Sequence, residues 1–321
     1  VYKRQLFAFA SPVEASRVRG VTLSTHTNGG DWASDGIVPA LAGMKEIGAG
    51  WVAIHPYAGI SPDGTVRYRP LDPANLPDWL TRPIAEAHAQ GLRILIKPHL
   101  AYWGSPWSWR GDIEFTDEAD WERYFTTYGA WITNLASAVG DADGFVVGTE
   151  LDLMLHRERD WREVVASVRA VSDLPLTYAA NWHAYREVPF WDAVDVIGIQ
   201  AYFPVAEHAA PTPDELAAGW DTLMTELRTF SLERDRHIVF TELGYNRSFD
   251  AAREPWSYHT DGAEAESFQE ACLRAALHAV ENEPRVIGAF LWKWFPEPRP
   301  VGRNFQLATP TLTRTISDVW R

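Results

Sequence analysis

The sequence predicts an α/β protein, a single-domain (β/α)8 TIM barrel, on three observations. Eight short apolar segments bounded by Gly, Pro, Asn and Asp read as buried strands, and they alternate with stretches of helical periodicity. No linker or break in composition divides the series, and 321 residues suits one such barrel. Two of the segments, 143–151 and 237–245, deliver Thr-Glu-Leu where the apolar run stops, at Thr149-Glu150-Leu151 and Thr241-Glu242-Leu243.

Taken in order, 18–23 reads as the first strand and 37–47 as a helix. The second strand is 51–55, followed by a long loop, 56–77, rich in Gly, Pro and Asp. A helix through 83–90 is stopped by Gly91, a glycine just past a helix end. Strand three is 93–98, then a loop over 101–116 and a long helix over 121–139. The strand carrying Glu150 comes fourth, with its helix at 161–171. Strand five, 176–180, has only a short connection to strand six, 194–200. A helix over 213–232, the Glu242 strand, a helix over 264–282, strand eight at 286–292 and a closing helix over 312–320 complete the pattern. A doubly wound open sheet is disfavoured, because no Gly-rich phosphate loop follows the first strand.

Residues 1–16 are expected to be a leader remnant or a sequence-assembly artefact, leaving 17–321 as the barrel. Val1-Tyr2-Lys3-Arg4-Gln5 resembles the translated end of a sequencing-library transposon, and Ala8-Phe9-Ala10 resembles a signal cleavage site. That leans localisation toward export without fixing it. A net charge of −14 argues against nucleic acid and anionic membrane surfaces as partners. No apolar run approaches the roughly 20 residues of a membrane span. The single Cys272 excludes an internal disulfide and sits in a helical pattern as a small core residue. A monomer is expected.

Side-chain period in strands is two. Gly148 and Glu150 should therefore share a face, as should Gly198, Gln200 and Tyr202, and likewise Gly288, Phe290 and Trp292. With those faces inward, functional groups emerge at the carboxyl rim, where barrel enzymes place their sites. The strand ends and following loops put His55, Lys97, His99, Trp103, Trp109, Glu150, Asn181, Trp182, Tyr202, Glu242, Trp292 and Trp294 there. Half of the 16 tryptophans join them: Trp32, Trp103, Trp107, Trp109, Trp182, Trp256, Trp292 and Trp294. Tryptophan offers a flat apolar face that suits the C–H faces of sugar rings. Two glutamates on an aromatic rim match glycosidic cleavage, which needs a proton donor and a second carboxylate facing the anomeric carbon. A retaining pair stands about 5–5.5 Å apart. Tyr202 is placed to donate a hydrogen bond to one of them.

Glutamates ending strands four and seven of such a barrel resemble clan A of the glycoside hydrolases. Lys97-Pro98-His99, Trp109-Arg110-Gly111, Gly148-Thr149-Glu150-Leu151, Thr241-Glu242-Leu243-Gly244-Tyr245 and Trp292-Lys293-Trp294, in that order, are similar to glycoside hydrolase family 113, chiefly endo-β-1,4-mannanases. The resemblance spans roughly 17–320. It implies Glu150 as acid/base, Glu242 as nucleophile and Trp292 as the floor of the subsite where the bond is cut. It implies a substrate of β-linked mannan or glucomannan. Many clan A members carry Asn before the acid/base, where it touches the sugar 2-hydroxyl; here the residue is Thr149.

Other readings are weaker. A catalytic metal would need a dense ligand set, often His-x-His leaving the first strand, and only His26 is there. No Gly-x-Ser-x-Gly elbow supports a serine hydrolase. No cofactor or metal is therefore expected. The alternatives left open are another clan A β-glycosidase, either a β-glucanase or an exo-β-mannosidase, and a non-catalytic carbohydrate-binding barrel.

Overall fold

The computed structural model describes residues 17–297 and 305–321, so the expectation for 1–16 lies outside the described residues. Eight parallel strands close into a barrel in the order β1 (Val18–Leu23), β2 (Trp51–Ile54), β5 (Arg93–Ile96), β7 (Gly144–Thr149), β8 (Leu176–Asn181), β9 (Ile197–Gln200), β10 (Ile238–Leu243) and β11 (Val286–Trp294). Helices cover its outside: α1 (Ile37–Glu46), α2 (Asp78–Ala89), α3 (Glu118–Ala138), α4 (Glu158–Arg169), α5 (Pro213–Glu233), α6 (Glu266–Asn282) and α7 (Pro310–Trp320). After β8 there is only a 3-10 turn, Trp191–Ala193, as the short connection predicts.

Local chemistry marks the boundaries. α5 begins with a capping box, in which Thr212 Oγ1 accepts from Glu215 N while the Glu215 carboxylate accepts from Thr212 N, and Pro213 follows. Gly91, at φ +74, ends α2 and lets Leu92 N reach Ala87 O.

The first of the two long loops read from sequence is partly wrong. It contributes β3 (Tyr57–Ile60) and β4 (Val66–Arg67), which form a separate three-stranded sheet above the barrel with β6 (His99–Ala101), a strand that runs into the start of the second loop. Pro56 and Pro98 each lack the N–H that a barrel ladder needs, so β2 and β5 stop before them. The chains then pair again, Tyr57 opposite His99. This device carries His55, Lys97 and His99 up to the rim in fixed positions.

Two apolar layers result. Val18, Ala53, Leu95, Val146, Ala179, Val239 and Phe290 fill the barrel interior, and a larger cluster seals the strands to the helices. Phe290 occupies the space that Gly20 leaves, since a Cβ there would overlap its ring.

The expected face-sharing holds for Gly198, which follows inward Val196 and is flanked by outward Ile197 and Ile199. It fails for Gly148 and Gly288. Pairing of β7 with β8 slips between Val146 and Thr149, and a Cβ on Gly148 would stand 2.8 Å from Trp161 and Tyr178, on the helix side. Gly288 has φ +145 where β10 and β11 lose register, so it is a bulge residue. One extra residue on a strand shifts every later side chain to the other face.

A Cβ on Gly198 would overlap the Tyr178 carbonyl oxygen and lie 2.6 Å from Thr177 Oγ1. Backbone cannot swing away as a side chain can. Gly198→Ala should therefore cost about 1–3 kcal/mol in urea unfolding, while Gly50→Ala, which meets nothing within 4 Å, should not destabilise.

Candidate active site

Glu242 ends β10 and is 4% exposed, yet each of its oxygens has a donor. The Lys97 ammonium pairs with Oε1, and the Tyr202 hydroxyl donates to Oε2 at 2.6 Å. Lys97 Nζ also donates to Thr241 O at 3.2 Å and lies 5.0 Å from the Trp292 ring centre, over its face. Burial lowers the lysine's pKa, and the Glu242 charge opposes that shift. His99 Nε2 stands 3.7 Å from Glu242 Oε1. Burial, reinforced by neighbouring cations, pushes the pKa of His55 and of His99 well down, so both are neutral rings. His55 stacks on His99 at 4.9 Å, and its Nε2 meets Ser24 Oγ at 3.2 Å.

Glu150 follows β7 in the left-handed region, at φ +53, which a residue with a side chain adopts only when its surroundings hold it there. Its own N–H donates to Ala179 O, and the next one, of Leu151, donates to the Tyr178 hydroxyl, both at 2.9 Å. The carboxyl is thereby turned into the cavity. Burial raises its pKa, Arg110 pulls it down, and the charge of Glu242 pushes it up again. Asp152, two residues on, is pushed up to about 7 by burial and then by Glu150. His183 Nε2 is 3.2 Å from Asp152 Oδ2, but neither carboxyl oxygen has a hydrogen bond of good geometry.

Thr149 bears on the expectation drawn from clan A. It is 1% exposed, and its hydroxyl donates to Pro98 O at 3.0 Å. The donor is spent on the loop beneath and does not face the cavity.

A cavity of about 910 Å³ opens between the two glutamates. Its wall includes the predicted residues His99, Trp103, Trp109, Asn181, Trp182, Tyr202 and Trp292. Lys97 and His55 are not on the wall but fully buried behind it. Trp294 is a correction. The pairing of β1 with β11 runs Val21 to Leu291 but Leu23 to Trp294, so a bulge separates Trp292 from Trp294. Trp292 faces the cavity, whereas Trp294 packs outward, over Gly43 of α1. Two more of the rim tryptophans belong to packing: Trp32 is fully buried, with Nε1 donating to Leu23 O, and Trp107 packs on Phe115.

The other five line the cavity, and three of them mark two sides of its mouth. Trp103 stands beside Tyr57 at 5.2 Å, on the β5 side of the mouth. Trp182 and Trp256 stack face to face at 5.2 Å and 10°, on the β8 and β10 side. Tyr258 and Phe305 also line the wall and escaped sequence reasoning, because both lie in irregular chain far past a strand end. Asn246, three residues past the end of β10, is 3% exposed and clamps these segments, with Nδ2 donating to Ser257 O at 2.7 Å and Oδ1 accepting from Phe305 N at 2.9 Å.

Among the described residues no cluster of His, Cys, Asp and Glu has the makings of a metal site, and no helix is long and apolar enough to cross a membrane. No curated protein matches the chain in sequence. Solved structures do match in fold. A family 113 β-mannanase from Alicyclobacillus acidocaldarius, in complex with ManMIm, superposes with a TM-score of 0.82 at 24% identity, covering 97% of this chain and 99% of that one. A complex of a family 113 β-1,4-mannanase gives 0.81 at 20% identity, covering 95% and 99%. A family 5 mannosidase from Rhizomucor miehei gives 0.62 at 11%, covering 94% and 92%. The model of Glycoside Hydrolase Family 113 matches residues 21–301, from β1 past β11 and through both glutamate-bearing strands. On that match over most of its length, with both strand-end glutamates lining one aromatic cavity, the chain belongs to that family.

Proposed function

We propose that the protein is a retaining endo-β-1,4-mannanase acting on mannan or glucomannan, with Glu242 as nucleophile and Glu150 as acid/base. The observation that carries the assignment is the asymmetry of the pair. Glu242 has a cation on one oxygen and a hydroxyl donor on the other. Burial raises the pKa of Glu150, which favours its acid form, and it faces the same cavity. In the first step a Glu242 oxygen forms the bond to the anomeric carbon as the glycosidic bond breaks, and the leaving oxygen takes the Glu150 proton. In the second, Glu150 removes a proton from water, whose oxygen displaces Glu242 from the same carbon. Two inversions leave the configuration retained.

Endo action rests on the aromatics. Trp103 is 57% exposed on one side of the mouth, and Trp256 and Tyr258 are 43% and 67% exposed across it. Platforms on both sides of the pair suit a chain that extends past the cut bond in each direction. The similar family 113 structures are those of β-mannanases, which supports mannan as the substrate. The test is reducing-sugar release across mannan, glucomannan, β-glucan and xylan, with products sized. Mixed oligosaccharides from mannan are expected. Cleavage of β-glucan but not mannan would make it a β-glucanase, and mannose alone would make it exo-acting.

Glu242→Ala should lose turnover, because no glycosyl-enzyme can form. Azide should restore activity on an activated aryl glycoside and give a product of inverted configuration. Near-normal activity without azide would remove Glu242 from the role and leave a different nucleophile, or none.

The tryptophans should separate by position. Trp292 is held against His55 and His99 beneath the reacting pair, so Trp292→Ala should lower kcat and kcat/KM together, even on short substrates. Trp103→Ala should weaken polymer binding with a smaller change in kcat, since stacking there is away from the cut bond. Changes in KM alone for both variants would move Trp292 out of the cleavage subsite.

A further inference from the structure

Arg110 is an anomaly. It lies in a 3-10 turn, Arg110–Asp112, whose neighbour Gly111 has no Cβ because the Trp109 ring occupies that place. With Trp109 folded over the glycine, the arginine is directed into the cavity. The turn packs against the 3-10 turn Asp152–Met154 that follows Glu150. Arg110 is 8% exposed, and its Nε and Nη1 have no hydrogen-bond partner. Burying a guanidinium with unsatisfied N–H groups destabilises a fold. Among the described residues its one ion pair is with Glu150, Nη1 lying 3.6 Å from Oε2, beyond a direct hydrogen bond.

We infer that Arg110 is a positioning residue, holding the Glu150 carboxyl across the cavity and supplying the fixed charge that lets it give up its proton in one half-reaction and accept one in the next. The inference rests on the reading of Glu150 as acid/base. No other group facing Glu150 supplies that charge to the same degree. Glu242 and Asp152 are carboxyls and oppose its ionisation. Tyr178, Tyr202 and Tyr258 are phenols whose own pKa values burial raises. The Gln200 amide favours the anion but carries no charge, and Lys97 is already paired with Glu242. Burial alone would favour the acid form of Glu150 and leave little of the base form that the second half-reaction needs. A cation beside it offsets that bias without binding it so tightly that the proton cannot return.

The sign follows directly. Without Arg110 the neutral carboxyl gains, Glu150 keeps its proton to higher pH, and the alkaline limb of kcat/KM moves up.

Arg110→Met is expected to shift that limb upward by about 1–3 pH units, the range seen for a carboxyl beside an arginine, and Arg110→Lys should bring it back. On an aryl glycoside with a strongly activated leaving group, the second half-reaction limits the rate. There Arg110→Met should lower kcat about 10-fold near neutral pH, and azide, which needs no base, should restore it. A fall in kcat/KM with the limb unmoved would overturn the proposal and leave Arg110 as a substrate contact or packing residue. Arg110→Gln serves as a second neutral variant and should show the same shift. If neither neutral variant folds, Arg110 is a stability residue and the proposal falls. Glu150→Gln, run alongside, tests the premise separately: an alkaline limb unchanged in that variant would show that Glu150 is not the group being titrated.

Discussion

The Lys97–Glu242 ion pair constrains everything above the barrel. An ammonium with no solvent exposure, and a carboxylate with almost none, persist only if each satisfies the other. Breaking such a pair typically costs about 3–5 kcal/mol, because one charge is left buried and unmatched. The pair joins strands on opposite walls, Lys97 past the end of β5 and Glu242 at the end of β10. It thus acts as a strut across the mouth as well as an electrostatic device. The Trp292 face, the Thr241 carbonyl and the stacked neutral rings of His55 and His99 complete its shell.

The fold serves this pair through breaks in regularity. Pro56 and Pro98 end two barrel ladders, and the chains resume as a second sheet. Bulges in β7 and β11 reset which way side chains point just before Glu150 and just after Trp292. Glu150 completes the set with its left-handed backbone, fixed by two N–H donors. A barrel of perfect period two would send these groups elsewhere.

That irregularity also marks what could be read from the sequence. The eight strands, the helices and both glutamates follow from apolar patterning and from where each run stops, which are local signals. Lys97, His55 and His99 were found as strand-end residues, but their division into buried support and cavity wall depends on packing between strands far apart in sequence. Trp294 was misplaced because a bulge leaves no mark in a tripeptide such as Trp292-Lys293-Trp294. Tyr258 and Phe305 had no periodic segment to anchor them. Trp32 shows the converse error: a tryptophan near a strand end can be packing alone when its indole N–H finds a backbone carbonyl, here Leu23 O.

The Asn246 clamp bears on how this mouth can change. One amide ties the chain near Ser257, which brings Trp256 and Tyr258, to the chain at Phe305. The two segments follow different strands, yet one amide pins both, and the Tyr258 ring meets the Phe305 ring edge-on at 5.5 Å. Evolution or engineering that exchanges one of them inherits a geometric debt to the other, so altered chain-length preference should come from paired loop grafts that keep Asn246, with single grafts yielding a collapsed or splayed wall.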